Sequence, residues 1–463
     1  MSDIFSKAER VVAWLGEEQT GDAAAMKLLE QVCSQQSLTP PVPTRLSSSM
    51  RSLLAREKEK ARDNYATELN GLSQILKRPW FGRAWIAQEL VLSSKTTLMS
   101  GKQLEMEWDT LFEALLLCEK DQSNRRDQVR EVLRHAAPAF ALGITRRSMK
   151  QHGRYSLLEL LELFSHTEAT IEVDKIFALL GLAHDGKDPA FSPDYDSPLE
   201  DVVRSYANGF IDRGQILDLL YRSGDQRSYP FSSWVPHFTS RSFPKTISIW
   251  ESNEGPFAAG GVGMPVHGVQ TSPGMSLHIK GYTVTAIHET LAESMTGSAM
   301  PNFFRTMAQF RDLLNRIYYV PDAKTLETLL VQVPIGKARS PHLEVHEDRM
   351  KGYDVETLGN TGRRSMLWPP KFSQLTAKVF ASRFGRRQGD VKFCVTENRL
   401  VGLVPPGAED GDVICVIPGD RVPFAIRRLQ DSDRWKLIGE CYIEGIMYGQ
   451  GSKGSDEMPF VIE

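Results

Sequence analysis

Short apolar runs alternate with helical stripes over the first 120 residues of the chain. Ile4, Phe5 and Ala8 mark one face of a short helix, and Arg10-Val11-Val12-Ala13-Trp14-Leu15 follows as a mainly apolar strand ending at Gly16. Such a run suits a buried parallel strand with neighbours on both sides. Few residues precede it, so its partners must come from later in the chain or be absent. A helix from Asp22 to about Ser34 leads into the Ser/Pro-rich loop SQQSLTPPVPTRLSSSM, and RSLLAREKEKARDN reads as a charged helix with a solvated face. The stretch Arg78–Leu90, RPWFGRAWIAQEL, predicts one helix opened by Pro79, with Gly82 its only weak helix former. Phe81, Trp85 and Glu89 fall four apart, which places two aromatics and a carboxylate on one stripe. Thr96–Met99 then reads as a strand stopped by Gly101. Leu104, Trp108, Leu111, Phe112 and Leu115 read as an amphipathic helix running to Cys118. Strand–helix alternation of this kind indicates an α/β sheet domain.

From about Asp121 to Phe238 the pattern is mostly helical. Leu157 to Phe164 carries one helix, DKIFALLGLAHD a second that ends near Gly181, and Leu199 to Phe210 a third. Ser233-Trp234-Val235-Pro236 closes this region, its tryptophan suited to a core anchor. Beyond Phe238 the pattern turns to strands. Leu277–Val284 roughly alternates with period two. A helical insertion follows, with Phe303, Met307, Phe310, Leu313 and Leu314 as its stripe, and the basic stretch from about Pro341 to Lys371 reads as loop. Short strands then recur at Lys392–Thr396, Leu400–Val404, Asp412–Ile417, Phe424–Leu429 and Trp435–Tyr442, spacing that suits a small barrel or sandwich. The strand near Ile279 is expected to join this sheet.

Composition narrows the chemistry. The 463 residues carry a net charge of -3, which gives no general attraction to nucleic acid or anionic lipid, and no apolar run is long enough to span a bilayer. The N-terminus has no signal-peptide pattern. Five cysteines (Cys33, Cys118, Cys394, Cys415, Cys441) lie far apart and never as C-x-x-C, which argues for reduced thiols in a cytoplasmic chain and against a zinc site. His288-Glu289 and His346-Glu347 both lack the second histidine of H-E-x-x-H, and neither a P-loop nor G-x-S-x-G occurs. The glycine-rich run Ala258–Gly263 has no strand–turn–helix frame and reads as a loop. The cluster Arg383, Arg386 and Arg387 reads as a solvated loop. What remains is Glu89. A half-desolvated carboxylate beside aromatics has a raised pKa and is available for proton or hydroxyl chemistry. The plainer reading of the same group is the partner of an arginine or a backbone N–H beside a core helix.

Four stretches, spread in order along most of the chain, resemble fungal heterokaryon-incompatibility (HET) domain proteins. Ile4–Ala8 with Val11–Gly16 is similar to the family's "IYSRA..V.VWLG" block. Arg78–Leu90, continued by Gly101 and Leu104 to Trp108, is similar to "RPWF.R.W..QE". Asp174–Leu182 and Pro193-Asp194-Tyr195 resemble the "D..YALLGL" and "PDY" stretch. Gly402–Pro405, Gly411-Asp412, Arg427, Gly439–Tyr442 and Gly445–Met447 resemble the C-terminal block. The family's "LSYVWG" and "WIDALCINQ" blocks would lie before Met1, so the resemblance implies a HET domain without its first strands. Those strands would supply ligand-side loops in an α/β domain.

The resemblance implies a partial TIR-like, flavodoxin-like parallel-sheet α/β domain over residues 1–122. A helical region over 123–245 and a β-rich domain over 246–463 would follow, the latter a small barrel or sandwich with a helical insertion at about 298–385. It implies a role in non-self recognition and programmed cell death. The family is remotely similar to TIR domains, in many of which a glutamate in a W-x-x-x-E-L helix supports NAD cleavage. Trp85, Glu89 and Leu90 match that pattern. By this analogy Glu89 is the catalytic candidate, holding ribose hydroxyls and stabilising a cation-like transition state, and Trp85 the candidate for contact with the nucleotide. NAD would be a substrate, with no resident cofactor and no metal. The alternative is a non-catalytic module that oligomerises or recruits a protein partner, or an inactive truncated paralogue.

Overall fold

In the computed structural model, the described residues are 2–35, 63–101, 104–120, 126–151, 153, 155–224, 231–241, 243, 247, 251–252, 255–272, 275–291, 309–316, 329, 333, 391–452 and 456–463. They divide into two units, Met1–Tyr206 with Phe238–Ser242, and Ala207–His237 with Phe243–Glu463. The charged run before residue 63, the basic stretch 341–371 and the arginines 383, 386 and 387 lie outside the described residues.

The first unit opens with α1 (Ser2–Lys7) and β1 (Val11–Trp14), followed by α2 (Asp22–Gln35) and α3 (63–76). The turn Pro79–Gly82 leads to α4 (Ile86–Val91), then β2 (Thr96–Ser100), β3 (Leu104–Glu107) and α5 (Trp108–Lys120). The partner of β1 does come from later in the chain. β1 runs parallel to β2, with Val11 opposite Thr96 and Trp14 opposite Met99. β2 is antiparallel to β3, with Thr97 opposite Glu107. The described sheet is therefore mixed rather than purely parallel, and among the described residues β1 has one strand neighbour where its apolar run predicts two. Residues 104–107 are strand, not the start of the predicted helix. Leu104-Glu105-Met106-Glu107 alternates with period two, and Gly101 at φ +58° turns the chain back on β2.

Helices follow, packing on α4, α5 and one another: α6 (Arg126–His135), α7 (Ala137–Gln151), α8 (Leu157–Leu163), α9 (Asp174–Leu180) and the first part of α10 (Leu199–Asp212). Gly143 lets α7 approach α5 closely, because a Cβ there would lie 2.2 Å from the ring of Phe112. Ser156 caps α8 in a capping box with Glu159, the Ser156 N–H donating to Glu159 Oε2 at 2.8 Å and the Glu159 N–H to Ser156 Oγ at 3.3 Å.

The second unit takes up the end of α10 and α11 (Ile216–Tyr221), then the two-residue strands β4 (Glu251–Ser252), β5 (Gly255–Pro256) and β6 (Gln270–Thr271). Trp234 is the expected anchor: it is fully buried, and its indole N–H donates to the Met275 carbonyl at 2.7 Å. The long strand β7 (Leu277–Thr290) extends past the predicted end at Val284. After it come β8 (Lys392–Thr396), β9 (Val401–Val404), β10 (Val413–Val416), β11 (Phe424–Arg428), β12 (Arg434–Glu440), β13 (Tyr442–Ile443) and β14 (Met458–Ile462). Pairing runs from β7 to β10, β11, β12 and β14 and returns to β7, a closed circuit of five strands. The far half of β7 continues through β8 and β9 to β13. The predicted strand Trp435–Tyr442 is thus two, split at Cys441. The ladder slips at Ile438, Gly439 takes φ +140°, and Tyr442 pairs with Leu403 instead of β11. Ile287, Cys394, Val404, Ile414, Ala425, Ile438 and Ile443 form the core. Of the predicted insertion, residues 309–316 are helical, with Phe310, Leu313 and Leu314 buried; Phe303 and Met307 lie outside the described residues. Among the described residues, no helix is long and apolar enough to cross a membrane.

Candidate functional site

The block around Glu89 is not one helix. Arg78 is extended (φ -66°, ψ 140°), as the residue before a proline should be, and Pro79–Gly82 makes a single 3-10 turn. At Arg83 the backbone is extended again (φ -79°, ψ 134°) and bridges to Glu168. Ala84 N–H donates to the Glu168 carbonyl at 2.9 Å, and Glu168 N–H to the Gly82 carbonyl at 2.6 Å. Helix resumes only at α4. The bridge to Glu168 competes with the helical hydrogen bonds that Gly82 and Ala84 would otherwise make, and a weak helix former at 82 concedes them. Phe81 consequently leaves the predicted stripe. It is buried in an aromatic chain with Trp80 at 5.1 Å and Trp108 at 6.5 Å between ring centroids.

Trp85 and Glu89 remain together, one turn apart and both half-buried, with the Glu89 N–H directed at the Trp85 carbonyl at 3.5 Å. Burial raises the Glu89 carboxyl above the ordinary range, and the Arg83 guanidinium pulls it part of the way back. Neighbouring side chains fix the helix that presents it. Gln88 is buried and its amide donates to the Ala178 carbonyl of α9 at 2.8 Å. Buried Arg146 of α7 takes the helix's carboxyl end, donating to the Leu90 carbonyl, to Ser93 Oγ at 2.8 Å and to the Ser94 carbonyl at 2.9 Å. On the Glu168 side, Arg241 pairs with that carboxylate at 2.6 Å. Lys175 donates to the Thr239 carbonyl at 2.9 Å, and burial lowers its pKa.

A second polar node in this unit carries no signal in residue spacing. Arg78 reaches the loop after β1, donating to the carbonyls of Leu15 at 3.0 Å and Glu17 at 3.1 Å, and to Asp22 Oδ2 at 2.5 Å. The same carboxylate oxygen accepts from Ser100 Oγ and from the Gln19 N–H at 3.0 Å. Asp22 and Arg78 are almost wholly buried, and Asp22 Oδ1 and Arg78 Nε have no partner among the described residues. The node lies at the carboxyl ends of β1 and β2, the edge at which parallel α/β sheets usually take their ligands. The pair spans 56 residues of sequence. Arg78 was recognisable only as part of the Arg78–Leu90 block and Asp22 only as a helix start.

In the second unit, two residues singled out by the C-terminal resemblance meet: Arg427 forks onto Asp412 at 2.7 and 2.9 Å and donates to the Gly407 carbonyl at 2.9 Å. Asp420, wholly buried, accepts from Tyr221 Oη at 2.7 Å, and burial holds its carboxyl well above the usual range. Cys394, Cys415 and Cys441 are buried in the strand core, and burial pushes the Cys394 thiol up to about 12, as inert structural thiols require.

Compared with known proteins, residues 1–89 match the family model described as heterokaryon incompatibility protein (HET). Residues 337–462 match the Het-6 beta-barrel domain. The first match ends on Glu89. The second omits β7, although β7 supplies the strand on which that sheet closes. Over its whole length the chain is similar to heterokaryon incompatibility protein 6, OR allele, of Neurospora crassa, 23% identical over 549 aligned residues that cover 100% of this chain and 79% of that protein. No solved structure matches.

Proposed function

For a chain of the heterokaryon-incompatibility family, we propose a cytoplasmic role in non-self recognition that ends in cell death, with the first unit as effector and Glu89 as its catalytic carboxylate toward NAD. The supporting observation is the half-buried Glu89, with raised pKa, one turn from half-buried Trp85. In the proposed reaction the bond between nicotinamide nitrogen and ribose C1′ breaks, the electron pair leaves with nicotinamide, and water adds to C1′ and gives up a proton to solvent. Glu89 holds the ribose hydroxyls and offsets the positive charge that develops on the sugar, while Trp85 offers a flat apolar face to the nucleotide. The test is nicotinamide release from NAD by the full chain. Glu89→Gln keeps the shape and removes the charge, and turnover is expected to fall by about 100-fold or more with thermal stability unchanged. Full turnover in the variant would end the catalytic assignment.

A second reading, a non-catalytic interaction module, draws on the other node. Arg78, Asp22 and Ser100 engage one another at the strand ends where a ligand would be expected. It predicts cell death that survives Glu89→Gln, with no nicotinamide released by the parent chain.

A further inference from the structure

One short stretch of the first unit is separated in sequence from the rest of it. Phe238–Ser242 belongs to that unit, while the chain on either side, Ala207–His237 and Phe243 onward, belongs to the second. The stretch is fastened where α9 begins. Arg241 pairs with Glu168 at 2.6 Å, Thr239 Oγ1 donates to Glu172 Oε1 at 2.6 Å, and Lys175 Nζ donates to the Thr239 carbonyl at 2.9 Å. The charges form one cluster, since Glu172, Arg241 and Glu168 all act on the Lys175 ammonium. Glu168 is common to this fastening and to the Glu89 block. Its side chain takes Arg241, while its carbonyl accepts from Ala84 and its N–H donates to the Gly82 carbonyl. The short stretch, Glu168 and the Glu89 block are therefore joined in series.

Two features make the joint one that opens. Phe238 and Thr239 are its buried anchors, but the Arg241–Glu168 pair is open to solvent, its side chains 76% and 62% exposed. A pair so exposed adds at most about fivefold to an equilibrium constant. Local preference also works against the joint: residues 79–89 favour helix, and the bridge to Glu168 holds Arg83 extended instead. Withdrawing the stretch breaks only its own contacts, because neither flank belongs to the first unit. We propose that Phe238–Ser242 is a detachable latch: docked on Glu168, Glu172 and Lys175 it holds Gly82–Ala84 extended and Arg83 beside Glu89, and detached it frees both. Arg241 and Thr239 are its positioning residues. The latch does not rest on the NAD reading. Hydrogen exchange reads the latch and nicotinamide release reads Glu89, so either can fail alone.

The test is native-state hydrogen exchange of the full chain, followed at the Ala84 and Glu168 amides in urea below the unfolding transition. Both amides are expected to exchange through one shared opening that depends less steeply on urea than exchange of the β2 amides. Arg241→Glu sets a carboxylate against Glu168 and is expected to speed exchange at both amides by about threefold to tenfold, with β2 unchanged. Lys175→Met strips the Thr239 carbonyl of its donor and is expected to speed it by about fivefold or more. Combining Glu168→Arg with Arg241→Glu reverses the pair and is expected to restore slow exchange. Exchange of Ala84 only through global unfolding, indifference to both single variants, or no restoration by the reversed pair would overturn the proposal.

Discussion

Arg78 and Glu89 stand eleven residues apart in one block, yet one is locked in a buried ion pair and the other is half open to solvent. The contrast decides what each substitution does. Removing one partner of a buried pair strands the other charge, so Asp22→Ala or Arg78→Met is expected to destabilise the first unit by about 3–5 kcal/mol, read from urea unfolding followed by tryptophan fluorescence. A loss below about 1 kcal/mol would mean that water reaches the node. Arg83 acts differently, because it stabilises the charged form of Glu89. If turnover needs the carboxylate, activity falls as pH drops through the Glu89 pKa, which burial holds above the ordinary glutamate range. Arg83→Gln removes the lowering influence, so the acid limb of the pH profile should move to higher pH. A limb that stayed in place or moved down would separate Arg83 from Glu89.

At the scale of elements, packing sets the conspicuous limits. α5 and α7 meet at Gly143 and Phe112, and no side chain fits between them. Gly143→Ala improves helix propensity but drives a methyl group into the ring, so a net loss of about 1–3 kcal/mol is expected in thermal unfolding, against a gain of under about 1 kcal/mol if the helices can separate. The same elements show what could be read from sequence. Apolar periodicity located β1, α2, β2, α8, α9 and most strands of the second unit within a residue or two, because each buries a local stripe or alternation. It failed where a distant segment intervened. Helix propensity across 79–89 yields to the bridge with Glu168, Leu104 and Trp108 fall at helical spacing although 104–107 is strand, and the alternation after Trp435 carries no sign of the slip at Ile438. Of the candidate site, Trp85 and Glu89 were legible as an i, i+4 pair. The Arg78–Asp22 node was not, since no local pattern encodes a contact between residues 56 apart.

At the scale of the whole chain, the second unit depends on pairings between segments far apart in sequence. β14 is the stave between β12 and β7, and it buries Phe460 and Ile462. A chain ending at residue 457 is expected to lose more than about 5 kcal/mol from this unit and to aggregate through two newly bared strand edges, as light scattering during expression at low temperature would show. A soluble chain with an unshifted melting temperature would refute the closed circuit. The order of manufacture adds a consequence. β7 leaves the ribosome about 180 residues before β14, a wait of roughly 10–40 s at ~5–20 residues per second. Through that interval the edge of β7 from Leu277 to Gly281 that β14 will cover is available to any passing strand, including those of neighbouring nascent chains on the same message. Slower translation past Thr290 would therefore lower the yield of native protein, and a holdase chaperone acting on Leu277–Thr290 would restore it.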